Sequence, residues 1–163
     1  MPYLYTPIRN PKPLSVISLM LFSCTIVAVI FWIFNIGHAF SLQIIAITTF
    51  IVDVAISARY QFTSFTYSAD VEGFKVIRTN MLDKTAKVVC NVSFSTPAKV
   101  IKKAPMKEIK KKYGKISRKF NYCVNMFPDT PYYYIFEIED TLNIIEFEAS
   151  DEFLSIIKMF TNN

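Results

Sequence analysis

Two long apolar runs near the start of the chain constrain its fold more than any other feature. Leu14 to Phe34, LSVISLMLFSCTIVAVIFWIF, holds 21 residues without a charge. At about 1.5 Å per residue, a helix of that length matches the ~30 Å hydrocarbon core of a bilayer. A second run, Ala39 to Ala58, is broken only by Asp53 and ends at Arg59. Asn35-Ile36-Gly37-His38 between them is polar and contains a glycine, which suits a tight turn between antiparallel helices. The pattern predicts a two-helix transmembrane hairpin over 14–34 and 39–58, in preference to a hairpin buried in a soluble core.

The flanking cations predict its orientation. Arg9 and Lys12 precede the first run, Arg59 follows the second, and the connecting turn holds no Lys or Arg. The positive-inside tendency then places residues 1–13 and 59–163 in the cytoplasm of a multi-pass protein of the cell membrane. A cleaved signal peptide is the competing reading, and Leu21-Phe22-Ser23-Cys24 faintly resembles a lipoprotein cleavage site. Phe22 is bulky for that role, and TIVAVIFWIF continues the apolar run beyond the cysteine. In a reducing cytoplasm Cys90 and Cys123 are expected as unpaired core thiols, and the Asn91-Val92-Ser93 sequon has no glycosylation machinery to meet. Asp53 is a candidate ion or proton site by its place within a span. Its closeness to Arg59 favours a carboxylate near the interface that reaches water.

From Tyr60 onward the period changes to two. Phe74, Val76 and Arg78 alternate with Lys75, Ile77 and Thr79 after a turn at Asp70-Val71-Glu72-Gly73. Lys84 to Val92 places Ala86, Val88, Cys90 and Val92 on one face, and Phe120, Tyr122, Val124 and Met126 share a face further on. Tyr132 to Glu139 and Leu142 to Glu148 read as a hairpin around Asp140-Thr141, with Tyr134, Phe136, Ile138, Ile145 and Phe147 inward. Such alternation is the mark of half-buried antiparallel sheet. The last element changes period again. Ser150 suits an N-cap, Asp151 and Glu152 fall in the first turn, and Phe153, Ile156, Ile157 and Phe160 form one stripe. An α+β domain of six to seven antiparallel strands, capped by a C-terminal helix, is expected over 59–163.

The closing segment YYYIFEIEDTLNIIEFEASDEFLSIIKMF, Tyr132 to Phe160, resembles the final hairpin and capping helix of bacterial pleckstrin-homology-like (PH-like) domains. An N-terminal membrane hairpin followed by such a domain is similar to small membrane proteins of Gram-positive bacteria. The resemblance implies a β-sandwich or barrel and a membrane-tethered binding or scaffolding module without a catalytic site. One departure matters. Phosphoinositide-binding members of that fold generally place basic residues around the loop between their first two strands. Here the turn Asp70-Val71-Glu72-Gly73 carries two acids and no cation, so that lipid site does not transfer.

The charge is concentrated elsewhere. Lys99, Lys102, Lys103, Lys107, Lys110, Lys111, Lys112, Lys115, Arg118 and Lys119 lie within 21 residues that hold one acid, Glu108. This segment carries +9 in a chain whose total is +5. On a protein held at a cytoplasmic leaflet these ten residues are the candidate contacts for anionic lipid headgroups, at ~1 kcal/mol for each cation near the surface. A solvated charged loop is the alternative. Residues 120–163 hold eight acids against Lys158 alone, and Glu137/Glu139 with Glu146/Glu148 suggest like charges on an exposed side of the last hairpin. That acidic end could meet the basic segment of the same chain, of a second copy or of another protein. Nucleic acid is not the expected partner, because Phe120 and Tyr122 follow a core-packing alternation and not a base-stacking platform.

Catalysis is poorly supplied. Three glycines leave no phosphate-cradling loop, and three scattered cysteines with one histidine make no zinc cluster. His38 falls on the predicted extracytoplasmic turn, so a Ser or Cys nucleophile in the domain lacks the usual base. No catalytic, metal or cofactor residue is expected. Together these readings predict a non-catalytic, membrane-tethered interaction or scaffold module. The alternative is a small accessory subunit, bound to a larger membrane complex through its transmembrane hairpin.

Overall fold

The computed structural model describes residues 2–34, 39–139 and 141–161. The expected interhelical turn at 35–38, with its His38, and Asp140 of the last hairpin lie outside these residues. The chain divides into two compact units: Asn10–Thr63, and Met1–Arg9 together with Ser64–Asn163.

The first unit is a pair of helices, α1 (Lys12–Ile33) and α2 (Ala39–Tyr60). Pro11 and Pro13 begin α1, where a missing backbone N–H removes no helical hydrogen bond. Both helices are long and apolar enough to cross a membrane. Their apolar side chains remain uncovered: Phe22, Ile26, Trp32, Ile47, Phe50 and Val54 are all exposed. Ala28 and Ala46 are buried, and small residues at a helix contact let backbones approach closely. The Thr25 and Thr49 hydroxyls meet at 2.8 Å while also bonding the Leu21 and Ile45 carbonyls of their own helices.

The second unit holds eight strands in two four-stranded sheets. The first has the order β1 (Tyr3–Tyr5), β2 (Thr63–Ala69), β3 (Gly73–Asn80), β4 (Ala86–Ser93). Its outermost strand, β1, precedes α1, yet it pairs antiparallel with β2, which follows α2, in the register Tyr3↔Ala69 and Tyr5↔Tyr67. Gly73 is required where β3 meets β4, because a Cβ there would stand 2.2 Å from the Val92 carbonyl oxygen. A bulge follows at Val76/Ile77, which pairs Val76 with Cys90 and Ile77 with Val88, and so leaves Val89 extra. This corrects the expected face of β4. Cys90 and Val92 stay with the core, Val89 joins them, and Val88 is turned out.

The second sheet has the order β5 (Ala98–Lys102), β7 (Pro131–Ile138), β8 (Thr141–Glu148), β6 (Ile116–Asn121). Here the structure departs from an all-antiparallel domain of six to seven strands. The described residues form eight strands, neither sheet closes into a barrel, and β6 runs parallel to β8. The parallel pair has a topological cause. β5 and β6 occupy opposite edges and run in the same direction, so the chain between them must cross the sheet. It does so through a short helix, α3 (Met106–Tyr113). β6 also ends at Asn121, earlier than the alternation to Met126 suggests. Asn121 Oδ1 accepts from the Cys123 N–H, the chain turns, and Cys123 and Val124 are both buried.

The two sheets share one aromatic core, in which Phe65, Tyr67, Phe74, Tyr134, Phe136 and Phe147 pack with Phe153 of α4 (Asp151–Thr161). Phe74 stacks on Tyr134 at 4.9 Å and lies 5.3 Å from Phe147. Ser150 caps α4 as its sequence predicts, with Oγ accepting from the Phe153 N–H at 3.2 Å. Ile138, expected inward, is exposed at the end of β7. Tyr3 and Tyr5 of β1 stack on Phe153 at 5.9 and 5.4 Å.

Candidate functional site

The basic segment is folded. Met106, Ile109 and Tyr113 recur at i, i+3 and i+7, which gives α3 one apolar stripe. Ile109 is buried against Tyr133, Ile135 and Ile144, with Ile101, Ala104, Met106, Tyr113, Ile116 and Leu142 around them. The second sheet is therefore covered on both faces, by the aromatic core on one and by α3 on the other. Pro105 opens α3, Glu108 lies in its first turn, and Lys110, Lys111 and Lys112 lie in its last, where each charge suits the helix dipole. Gly114, at φ 96°, ends the helix in a backbone region that disfavours other residues.

A buried carboxylate fixes the flanks of this crossover. Glu146 of β8 is 2% exposed and meets Lys103 Nζ at 2.5 Å and Lys119 Nζ at 2.6 Å. Its β8 backbone also accepts from the Tyr122 N–H at 2.9 Å. Lys119 further approaches the Tyr133 ring at 5.3 Å. Burial alone would raise the Glu146 carboxyl, but the two ammonium groups outweigh it and hold it below the ordinary glutamate range. The same contacts raise Lys103, Glu146 first among them. One lysine from each end of the crossover thus binds the same carboxylate.

This overturns the expectation that Glu146 and Glu148 are exposed beside Glu137 and Glu139. Glu137 and Glu139 are exposed, whereas Glu146 and Glu148 are buried. Glu148 holds the loop after β6, accepting from the Asn125 backbone N–H and from Asn125 Nδ2, both at 2.7 Å. Of the three settings foreseen for the acidic end, the chain itself realises one, because its own Glu146 meets two cations of its own basic segment.

The ten basic residues consequently fall into three groups, all of them exposed. Lys103 and Lys119 are paired with Glu146. Lys99 of β5 and Lys112 of α3 converge on one ring, with Nζ at 5.9 and 5.4 Å from the centroid of Tyr113. Lys102, Lys107, Lys110, Lys111, Lys115 and Arg118 make no ion pair among the described residues. The turn between β2 and β3 differs in kind. There Asp70 and Glu72 neutralise Lys75 at 3.1 and 2.7 Å, and Asp70 Oδ1 accepts from the Glu72 and Gly73 N–H groups. That turn offers no free cation to an anionic ligand.

Sequence reasoning named Glu146 but placed it in solvent, and it missed Tyr113 and Ile109. The spacing of Met106, Ile109 and Tyr113 was the available signal for the last two. Among the described residues no three of His, Cys, Asp or Glu gather as a metal-holding group. Cys90 and Cys123 form no disulfide among the described residues, and burial raises Cys90 above the ordinary thiol range. Compared with known protein families, curated proteins and solved structures, the chain gives no match.

Proposed function

We propose that this chain is an integral membrane protein in which α1 and α2 tether a non-catalytic interaction or scaffold domain, and that the basic surface built on α3 rests on anionic lipid headgroups. The observation that carries this reading is the state of the cations. Six of them have no counter-charge among the described residues, on a crossover that Ile109 and Glu146 hold in one place. A preordered basic surface loses less entropy on contact than a loop does. The pairing of β1 with β2 supports both flanks of the hairpin lying on one side of the membrane. Arg9, Lys12 and Arg59 support that side being the cytoplasmic one. The final β7–β8 hairpin followed by α4 supports a relation to PH-like domains and to small Gram-positive membrane proteins that carry them.

Lysine acetylation footprinting of the full chain in vesicles, with the domain outward, tests this reading. Lys107, Lys110 and Lys111 should be protected when phosphatidylglycerol is added to phosphatidylcholine, while Lys84 and Lys87 should label equally in both. Equal labelling at Lys107, Lys110 and Lys111 in the two lipids would sink the proposal.

One observation favours the second reading, an accessory subunit of a larger transporter or signalling assembly. Asp53 Oδ1 in α2 is buried and makes no hydrogen bond among the described residues. A carboxylate within an apolar helix is costly without a partner, and a polar group on a neighbouring subunit's helix would supply one. An orphan subunit of that kind aggregates when solubilised alone, whereas a self-sufficient module stays discrete.

A further inference from the structure

We infer that the groove floored by Tyr113, between β5, the end of α3 and the β7–β8 hairpin, is a binding site for a phosphate diester that carries hydroxyl groups, with Lys99 and Lys112 as its phosphate ligands. The groove has a volume of about 620 Å³ and is lined by Lys99, Lys112, Tyr113, Ile135, Glu137 and Leu142, among others. Its lining mixes apolar side chains with charged ones, and a concavity of this size with a few convergent polar groups is a common form of small-ligand site.

Three features of the groove select its ligand. Lys99 and Lys112 reach the same ring from different elements, and neither has a carboxylate within ion-pair distance among the described residues. Two ammonium groups beside one ring, neither of them neutralised, leave positive charge at the groove that a bound anion would offset. The contrast with Lys103 and Lys119 is informative, because the fold supplies that neighbouring pair with Glu146 and supplies this one with no such contact. Glu137, on the same outer row of β7 as Ile135 and opposite Leu142, is the one acid among the described residues that lines the groove. Beside a bound phosphate, a carboxylate repels further negative charge and accepts hydrogen bonds from hydroxyls. A phosphoglycerol group satisfies all three, with its phosphate on the lysines, its hydroxyls on Glu137 and its carbon skeleton on Tyr113 and Leu142.

The ligand's source rests on the membrane-surface reading, whereas the site's geometry does not. The phosphoglycerol group can belong to phosphatidylglycerol or to a dissolved glycerophosphodiester, and the test separates them. The full chain in neutral detergent is titrated with glycerophosphoglycerol and followed by ³¹P NMR line broadening. The native chain should show saturable broadening. Lys99→Gln with Lys112→Gln should weaken it at least about tenfold, since both charged hydrogen bonds are lost. Lys107→Gln with Lys110→Gln and Lys111→Gln should leave it unchanged. Absence of saturable binding, or equal weakening by the two sets of substitutions, would overturn the site. In phosphatidylglycerol vesicles, protection of Lys99 and Lys112 from acetylation supports a lipid source. Binding of the dissolved diester without that protection keeps the site and overturns the lipid as its source. Loss of protection at Lys107, Lys110 and Lys111 alone sinks the membrane-surface reading and leaves the groove standing.

Discussion

The two faces of the β5-β7-β8-β6 sheet are covered by different chemistry. On the inner face Tyr134, Phe136, Ile145 and Phe147 pack into aromatic rings from the other sheet and from α4, with no charge among them. On the outer face Tyr133, Ile135 and Ile144 are covered by Ile109, with Met106 and Tyr113, of a helix that is otherwise charged and lysine-rich, and Glu146 is clamped by two cations. Neighbouring residues of the same two strands serve both faces, through the register Tyr134↔Ile145 inward and Tyr133↔Glu146 outward. The inner face is stabilised by burial. The outer face combines burial with charge pairing, because α3 presents only a narrow apolar stripe. The same narrowness leaves lysines free on its exposed side.

Phe147→Ala should give the largest effect, because it removes a ring fully enclosed by Tyr67, Phe74 and Tyr132. A loss of about 3–5 kcal/mol is expected, measured by urea unfolding of the detergent-solubilised chain. Ile109→Ala should cost about 2 kcal/mol or more. Hydrogen exchange should then accelerate across 103–115 while the inner face keeps its protection. Uniform acceleration through the domain would erase the distinction between the faces.

Glu146→Gln should cost about 1–2 kcal/mol, less than a fully buried pair because both lysine side chains are roughly two-fifths open to solvent. Its pH dependence sharpens the comparison. Glu146 titrates lower folded than unfolded, so its contribution is present above the ordinary glutamate value and lost as pH falls through the depressed one. Between about pH 5 and pH 3 the native chain should lose stability more steeply than Glu146→Gln. Parallel curves would show that the outer face does not depend on this carboxylate.

Tyr134→Phe should give the smallest effect. The Tyr134 hydroxyl is buried on the inner face without a hydrogen-bond partner among the described residues, and burial raises its pKa. Removing it should change stability by no more than about 0.5 kcal/mol, in the stabilising direction. A clear loss on urea unfolding would show a polar contact within the aromatic core.

Local signals made part of the fold legible. The lengths of two apolar runs marked α1 and α2, alternation marked the β7–β8 hairpin, and Ser150 with its apolar stripe marked α4. The cations at 99–119 were equally plain as a charged segment. Their division was not, because Lys103 and Lys119 find Glu146 only when β7, β8 and β6 are aligned. In a strand alternating Ile145-Glu146-Phe147-Glu148, period two assigns the glutamates to water, and nothing local says that a helix will cover that face. β1 was illegible for a related reason. Three residues carry too little periodicity to mark a strand, and the partner of β1 lies beyond both apolar helices.

The amino-acid sequence by itself determined the quantities that act over a few residues: where apolar length is enough to span a bilayer, where the period is two, where a helix is capped, and where positive charge accumulates. Tertiary structure decided what each charge meets. It paired Lys103 and Lys119 with Glu146, brought Lys99 and Lys112 to Tyr113, and left six cations exposed without a counter-charge among the described residues. The physical reason is distance. Hydrophobic patterning is written along the chain, whereas an ion pair depends on separations of a few ångströms between residues brought together by sheet order and crossover.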